Sequence, residues 1–184
     1  MCTGPGSDGL INYRKTDMAA PQFLTCVNAL NAELALENRV HVNPSDARTP
    51  YVTIGNFVYR AVPHPGVERN HIAMNAIQRR MARAFAGTTV EVFDFYVPIS
   101  RDFSIPAVTI EAQYVKTLPV KDAVDLTHLA NSVRAALMGD VLTFGQSIVI
   151  KHNDTNILLW VKSNVRGIIT DNTEIGIDWR ADNM

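Results

Sequence analysis

Tyr51-Val52-Thr53-Ile54-Gly55-Asn56-Phe57-Val58-Tyr59-Arg60-Ala61-Val62 is a long β-prone stretch, and Pro63-His64-Pro65-Gly66 follows it. Val, Ile, Tyr, Phe and Thr suit a half-buried pleated surface, while Gly55-Asn56 marks a bulge or turn within the run. The Pro-Gly cluster stops it. Similar segments lie on either side. Residues 22–29 mix apolar and small side chains around Cys26, 39–42 end at Asn43-Pro44, and 88–97 close at Pro98. Between them 78–85 reads as one short helix, ended by Ala86-Gly87. Many short strands with frequent turn signals suggest a barrel.

The rhythm changes near residues 98–101. Residues 107–115 read as a strand, and Pro119 breaks the run 116–120. Asp125 then opens the best helix of the chain. Leu126, Leu129, Val133 and Leu137 recur at helical spacing, Asp125 is placed to cap, and Gly139 suits the C-terminal stop. Residues 146–151 and 157–162 read as a hairpin around the polar turn 152–156, and 167–170 with 173–179 as a second hairpin. One amphipathic helix against several strands is an α+β layer. The expected organisation is a mobile segment over 1–21, a barrel subdomain over 22–98 and a second subdomain over 99–184.

Composition narrows the function. The chain has 184 residues, 47% hydrophobic and 19% charged, so it can bury an ordinary core and carries no disorder signature. A net charge of −1 gives no reason to expect nucleic acid. No apolar run approaches the ~18 residues of a membrane span, and the first residues lack the basic start and apolar core of a secretory signal. Two cysteines, Cys2 and Cys26, fit a reduced cytosolic protein better than a disulfide framework. Charge is unevenly placed. Residues 39–83 hold seven arginines against Asp46 and Glu68, a balance of +5, whereas 84–184 hold eight basic and twelve acidic residues, a balance of −4.

Motifs for chemistry are absent or out of place. Gly4-Pro5-Gly6-Ser7-Asp8-Gly9 matches G-x-G-x-x-G but has no strand before it, so it reads as a tail. No G-x-x-x-x-G-K-[ST] loop or G-x-S-x-G elbow occurs. The five histidines lack ligand spacing. Asp122 and Asp125 are explained by the helix dipole better than as a carboxylate pair. Asn153-Asp154-Thr155 has the form of a glycosylation sequon and reads as a turn. Arg69, Arg79, Arg80 and Arg83 are the feature that stands out, four guanidinium groups in fifteen residues without an acid. On one helix Arg79 and Arg83 would share a face, with Arg80 about 100° away. Such groups either form a solvated surface or fork onto a partner's carboxylates.

Val62-Pro63-His64-Pro65-Gly66-Val67, then Ile77-Gln78-Arg79-Arg80-Met81-Ala82 and Thr89-Val90-Glu91-Val92, follow the order of an H-P-x-V segment, P-Q-R-K-W-A-G-like residues and an I-E-V strand. The order continues through Thr109-Ile110-Glu111, Phe144-Gly145-Gln146, Leu159-Trp160-Val161-Lys162 and Gly167-Ile168-Ile169-Thr170-Asp171-Asn172, with Leu24-Thr25-Cys26 near the start. In this the chain resembles the N-terminal domain of the N-ethylmaleimide-sensitive factor family over residues 22–179. The resemblance implies a double-psi β-barrel followed by an α/β roll. It implies a domain that holds SNAP, the adaptor coating SNARE bundles, in a cytoplasmic protein that reaches membranes through those partners without inserting. ATP and Mg would be held by ATPase modules beyond this chain, with no cofactor here. The fragment would be a monomer and the full-length protein a hexamer. Carried over by position, the basic contacts would be Arg79 and Arg80, joined by Arg83, with Arg14 or Lys15 near an N-terminal arginine of the family. The family's lysine pair aligns with Thr117-Leu118, so Lys116 and Lys121 would supply that charge from neighbouring sites. The valosin-containing-protein N-domain, a double-psi barrel that binds ubiquitin-related cofactors, is the alternative; the motif order argues against it. Independent catalysis is the third reading, and lacks a motif.

Overall fold

The computed structural model describes residues 20–99, 102–116 and 124–180. Six strands close a barrel: β1 (Gln22–Asn28), β2 (Arg39–Val42), β3 (Tyr51–Ile54), β4 (Phe57–Pro63), β5 (His71–Met74) and β6 (Thr89–Phe95). Their order around it is β1-β5-β2-β4-β3-β6. It is a mixed barrel, because β1 runs parallel to β5 and β2 parallel to β4 while the remaining pairs are antiparallel. Alternation along the strands decides the interior. Leu24 and Cys26 of β1, Val52 and Ile54 of β3, and Val90 and Val92 of β6 point inward and are buried. Each such aliphatic side chain contributes roughly 1.5–3 kcal/mol by leaving water.

The run 51–62 is two strands. Ile54 faces Phe57, so Gly55-Asn56 is a two-residue hairpin turn with φ +60° at Gly55, the position where a II′ turn requires glycine. Strand β5 was not legible in the sequence: four residues, His71-Ile72-Ala73-Met74, carry too little pattern, and their place is fixed by pairing with β1 and β2.

Helix α1 is Ala76–Met81 and not 78–85. A capping box moves its start forward: Asn75 Oδ1 accepts from the Gln78 N–H at 2.9 Å, and Gln78 Oε1 accepts from the Asn75 N–H at 2.9 Å. A Schellman turn ends it early. The Ala84 N–H donates to the Arg79 carbonyl at 2.9 Å, the Arg83 N–H donates to the Arg80 carbonyl at 3.1 Å, and Arg83 sits at φ +53°.

Beyond the barrel lie β7 (Ala107–Tyr114), α2 (Leu126–Leu137), β8 (Val141–Thr143), β9 (Ser147–His152), β10 (Thr155–Val161), β11 (Arg166–Ile168) and β12 (Glu174–Trp179). Helix α2 starts where expected, with Asp125 accepting from the Thr127 and His128 N–H groups at 2.9 and 3.0 Å. Leu129, Val133 and Leu137 are buried, whereas Leu126 on the first turn is 43% exposed. Strands β9 and β10 form the first hairpin, with a turn of only Asn153-Asp154, both at positive φ.

The second expected hairpin does not form. Strand β11 pairs antiparallel with β8, and β12 runs parallel to β7 as the edge of a sheet ordered β12-β7-β10-β9. Local turn chemistry gave way to long-range pairing. Thr173 Oγ1 donates to the Ile105 carbonyl at 2.7 Å, the Glu174 N–H donates to Pro106 O at 2.8 Å, and Ile175, Ile177 and Trp179 pack against the core under α2. The fold is thus strand-rich α+β, a double-psi-type barrel with an α/β part.

A polar seam joins the two. Tyr51 and Arg60 are cross-strand partners on β3 and β4. The Tyr51 hydroxyl donates to Gly139 O at 2.7 Å, Arg60 Nη2 donates to Met138 O at 3.0 Å, and Arg60 Nε lies 3.4 Å from Asp140 Oδ1. Asn38 Nδ2 donates to Asp140 Oδ2 at 3.3 Å, and Asn38 Oδ1 accepts from Gln146 Nε2 at 3.4 Å. Val58, Phe103 and Val141 form the apolar core beside this seam. Asp140 is 1% exposed, and burial pushes its carboxyl up to about 6 against the opposing pull of Arg60 and Arg39.

Candidate functional site

The end of α1 divides the arginine cluster. Arg79 is half-buried, and its Nη1 donates to the Met74 carbonyl at 2.7 Å, which ties it to the end of β5. Arg80 and Arg83 are exposed, without a hydrogen-bond or ion-pair partner among the described residues. The expectation that Arg79 and Arg83 share a helical face is overturned, because the helix ends at Met81 and the left-handed backbone turns Arg83 aside.

The other arginines of the basic segment are occupied. Arg39 lies 3.8 Å from Glu37 Oε2, Arg48 donates to Ala20 O at 3.1 Å, Arg60 holds the seam, and Arg69 donates to Ser45 Oγ at 3.3 Å. Arg39 and Arg60 face carboxylates, while Arg48, Arg69 and Arg79 donate to neutral acceptors and keep their charge, so Arg80 and Arg83 are the guanidinium groups of this segment without an internal partner among the described residues. Lys116 is exposed just past β7, on a different sheet. Arg14, Lys15 and Lys121 lie outside the described residues.

A shallow open groove of about 440 Å³ runs beside Arg83 on the barrel, lined by Ile54, Gly55, Ala82, Arg83, Ala84, Thr88, Thr89, Val90, Glu91 and Phe93. Phe85, on the loop after Arg83, is 77% exposed. Sequence reasoning missed this groove, since it depends on where α1 stops; Ala86-Gly87 signalled a stop four residues too late.

The remaining titratable clusters are small. His41 and His64 pack edge to face, and burial lowers the His41 imidazole despite Glu37 3.8 Å away. His152 contacts His128 and bonds Ser132 Oγ through Nδ1 at 2.9 Å. Among the described residues no three His, Cys, Asp or Glu are placed to hold a metal ion.

A closed mixed barrel bonded to an α/β part, with Arg83 lining a surface groove and Arg80 exposed on the last turn of α1, defines a double-psi-type domain. Over 154 residues the chain is 30% identical to the vesicle-fusing ATPase of Arabidopsis thaliana, covering 78% of this chain and 20% of that protein. No family model matches the chain. The matched part of the relative is its N-terminal part, and the similarity supports an N-terminal domain of the vesicle-fusing ATPase kind. It spans about a fifth of the relative's length. Among the described residues no helix is long and apolar enough to cross a membrane.

Proposed function

We propose that this chain is the adaptor-binding domain of a SNARE-disassembling ATPase, and that it holds the SNAP adaptor bound to a SNARE bundle in the cytoplasm. The observation that carries the reading is the pair of unpaired, exposed arginines, Arg80 and Arg83, on a domain of this kind. Guanidinium groups without an internal acid are available to fork onto carboxylates of an acidic partner. Lys116 adds charge from the second sheet, with Arg14, Lys15 and Lys121 as further contacts. Arg79 supports the site from behind by fixing the end of β5 to α1. ATP and Mg belong to modules outside this chain, and six domains on one ring would convert weak single contacts into firm capture.

The test is capture of SNAP, pre-bound to a SNARE bundle, by the bead-multimerised chain and by its Arg80→Glu/Arg83→Glu variant. Reversing two exposed charges should cut capture at least about tenfold while circular dichroism and melting stay near wild type. Equal capture by the two proteins would refute the site.

A further inference from the structure

Strand β12 is an open sheet edge. In the order β12-β7-β10-β9 it pairs with β7 alone, whereas β9 at the opposite edge has α1 beside it. The Glu174 N–H donates to Pro106 O and the Arg180 N–H to Ala112 O, so the even-numbered residues spend their backbone groups on β7. Ile175, Ile177 and Trp179 turn theirs to the free edge, where no strand meets them among the described residues. Such a row of unpaired N–H and C=O groups is a template for another strand. Edges are commonly blunted by proline, a bulge or lysine, and Glu174–Trp179 has none of these. Side chains divide with the same alternation: Ile175, Ile177 and Trp179 pack under α2, while Glu174, Gly176, Asp178 and Arg180 share the exposed face.

We propose that β12 is a self-association edge, on which two copies of this chain pair their β12 strands antiparallel about a two-fold axis through Ile177. Outward-facing backbone groups can only meet when odd residues oppose odd ones, and charge then chooses among the registers. With Ile177 opposite Ile177 of the second copy, Ile175 faces Trp179, Gly176 faces Asp178 and Glu174 faces Arg180. Opposite charges therefore meet across the interface twice, on the non-hydrogen-bonded pairs where side chains come closest. A slip of the axis by one residue sets Asp178 against Asp178, or, in the other direction, Glu174 against Asp178 twice. Like charges directly opposed destabilise a strand pair. Arg180 is free to turn. Its Nη2 lies 3.0 Å from Glu111 Oε2, but Lys162 Nζ lies 3.3 Å from the same oxygen and keeps Glu111 neutralised. The interface is isologous and joins only one short strand per copy, so association is weak. It lies across the sheet from α1 and its arginines and does not depend on the adaptor reading.

The experiment is sedimentation equilibrium of the full chain from about 20 µM to 1 mM, followed by cysteine cross-linking. Wild type should show a concentration-dependent equilibrium of monomer and dimer. Glu174→Lys, which sets a lysine opposite Arg180, should raise the dissociation constant at least about threefold with an unchanged melting temperature. For the register, Gly176→Cys and Asp178→Cys chains, each with Cys2→Ser, are mildly oxidised separately and as a mixture; the native Cys26 is buried. A Cβ at Gly176 meets nothing closer than Thr109 Oγ1 at 3.9 Å, so the cysteine fits. The mixture should form mixed disulfide dimers at least about fivefold faster than either chain links to itself, because the two positions face each other at cross-strand distance. Self-linking of either chain as fast as mixed linking marks a slipped register and overturns the proposal. Wild type that stays monomeric up to about 1 mM, or association untouched by Glu174→Lys, also overturns it and leaves the edge to a strand of a different protein.

Discussion

Asp140 is a buried acid whose environment works against its charge. It lies at the seam between barrel and sheet, and its carboxyl is raised to about 6 because burial outweighs Arg60 and Arg39. The folded protein therefore binds this proton more tightly than the unfolded chain. The stabilisation is complete below the ordinary value of 3.8 and is lost as pH rises through about 6. The loss is on the order of 3 kcal/mol. Urea unfolding of wild type and Asp140→Asn at about pH 4 and pH 7 should show this drop in wild type, and a drop smaller by about that amount in the variant. Parallel pH profiles would show that Asp140 is not the titrating group. Nothing in the sequence around Met138-Gly139-Asp140 announces such burial, since Arg60 is nearly eighty positions away. Arg83 was legible as a charge but not as a left-handed residue, although the P-Q-R-K-W-A-G segment quoted above has its glycine at the corresponding place.

Helix ends carry much of the specificity between elements. Asn75 serves α1 twice: its Oδ1 caps Gln78, and its Nδ2 donates to Glu37 O at 3.2 Å, while Gln78 Nε2 reaches Arg39 O at 2.8 Å. Asn75→Ala should cost about 1–2 kcal/mol, read by chemical denaturation. An unchanged midpoint would mean that α1 is held by packing alone. At the end of α2 the capping group comes from the barrel. Arg60 bonds Met138 O, Tyr51 bonds Gly139 O, and a Cβ at Gly139, where φ is +75°, would collide with Arg60 Nη2. Gly139→Ala should destabilise by about 2 kcal/mol or more in thermal unfolding, whereas the exposed Ala135→Gly on α2 should cost no more than about 1 kcal/mol. Comparable effects at both positions would contradict the clip between the two parts. The elements best read from sequence were those with long β-branched runs or a capped apolar stripe: β3, β4, β6, β7 and α2. Short β5 and β8 lack pattern of their own, and β11 was read as a strand but with the wrong partner. The parallel docking of β12 on β7 is a choice of distant partner that local turn signals at Asp171-Asn172 could not reveal.

For the whole molecule, the charge asymmetry read from composition survives folding only in part. Of the seven arginines in residues 39–83, Arg39 and Arg60 face carboxylates, three are tethered to neutral acceptors, and Arg80 and Arg83 have no internal partner among the described residues. A surface with only two untethered guanidinium groups should bind weakly alone and gain from multivalency. Its encounter should be sensitive to salt, because exposed charges are screened over about 8 Å at physiological ionic strength. The most direct measurement is capture of SNAP-coated SNARE bundles by the multimerised wild-type chain across a salt series from about 50 to 300 mM. Capture that is firm at low salt and falls several-fold across the series is the expected result. No capture at low salt by the folded, multimerised chain would contradict the adaptor-binding function while leaving the fold and the similarity intact.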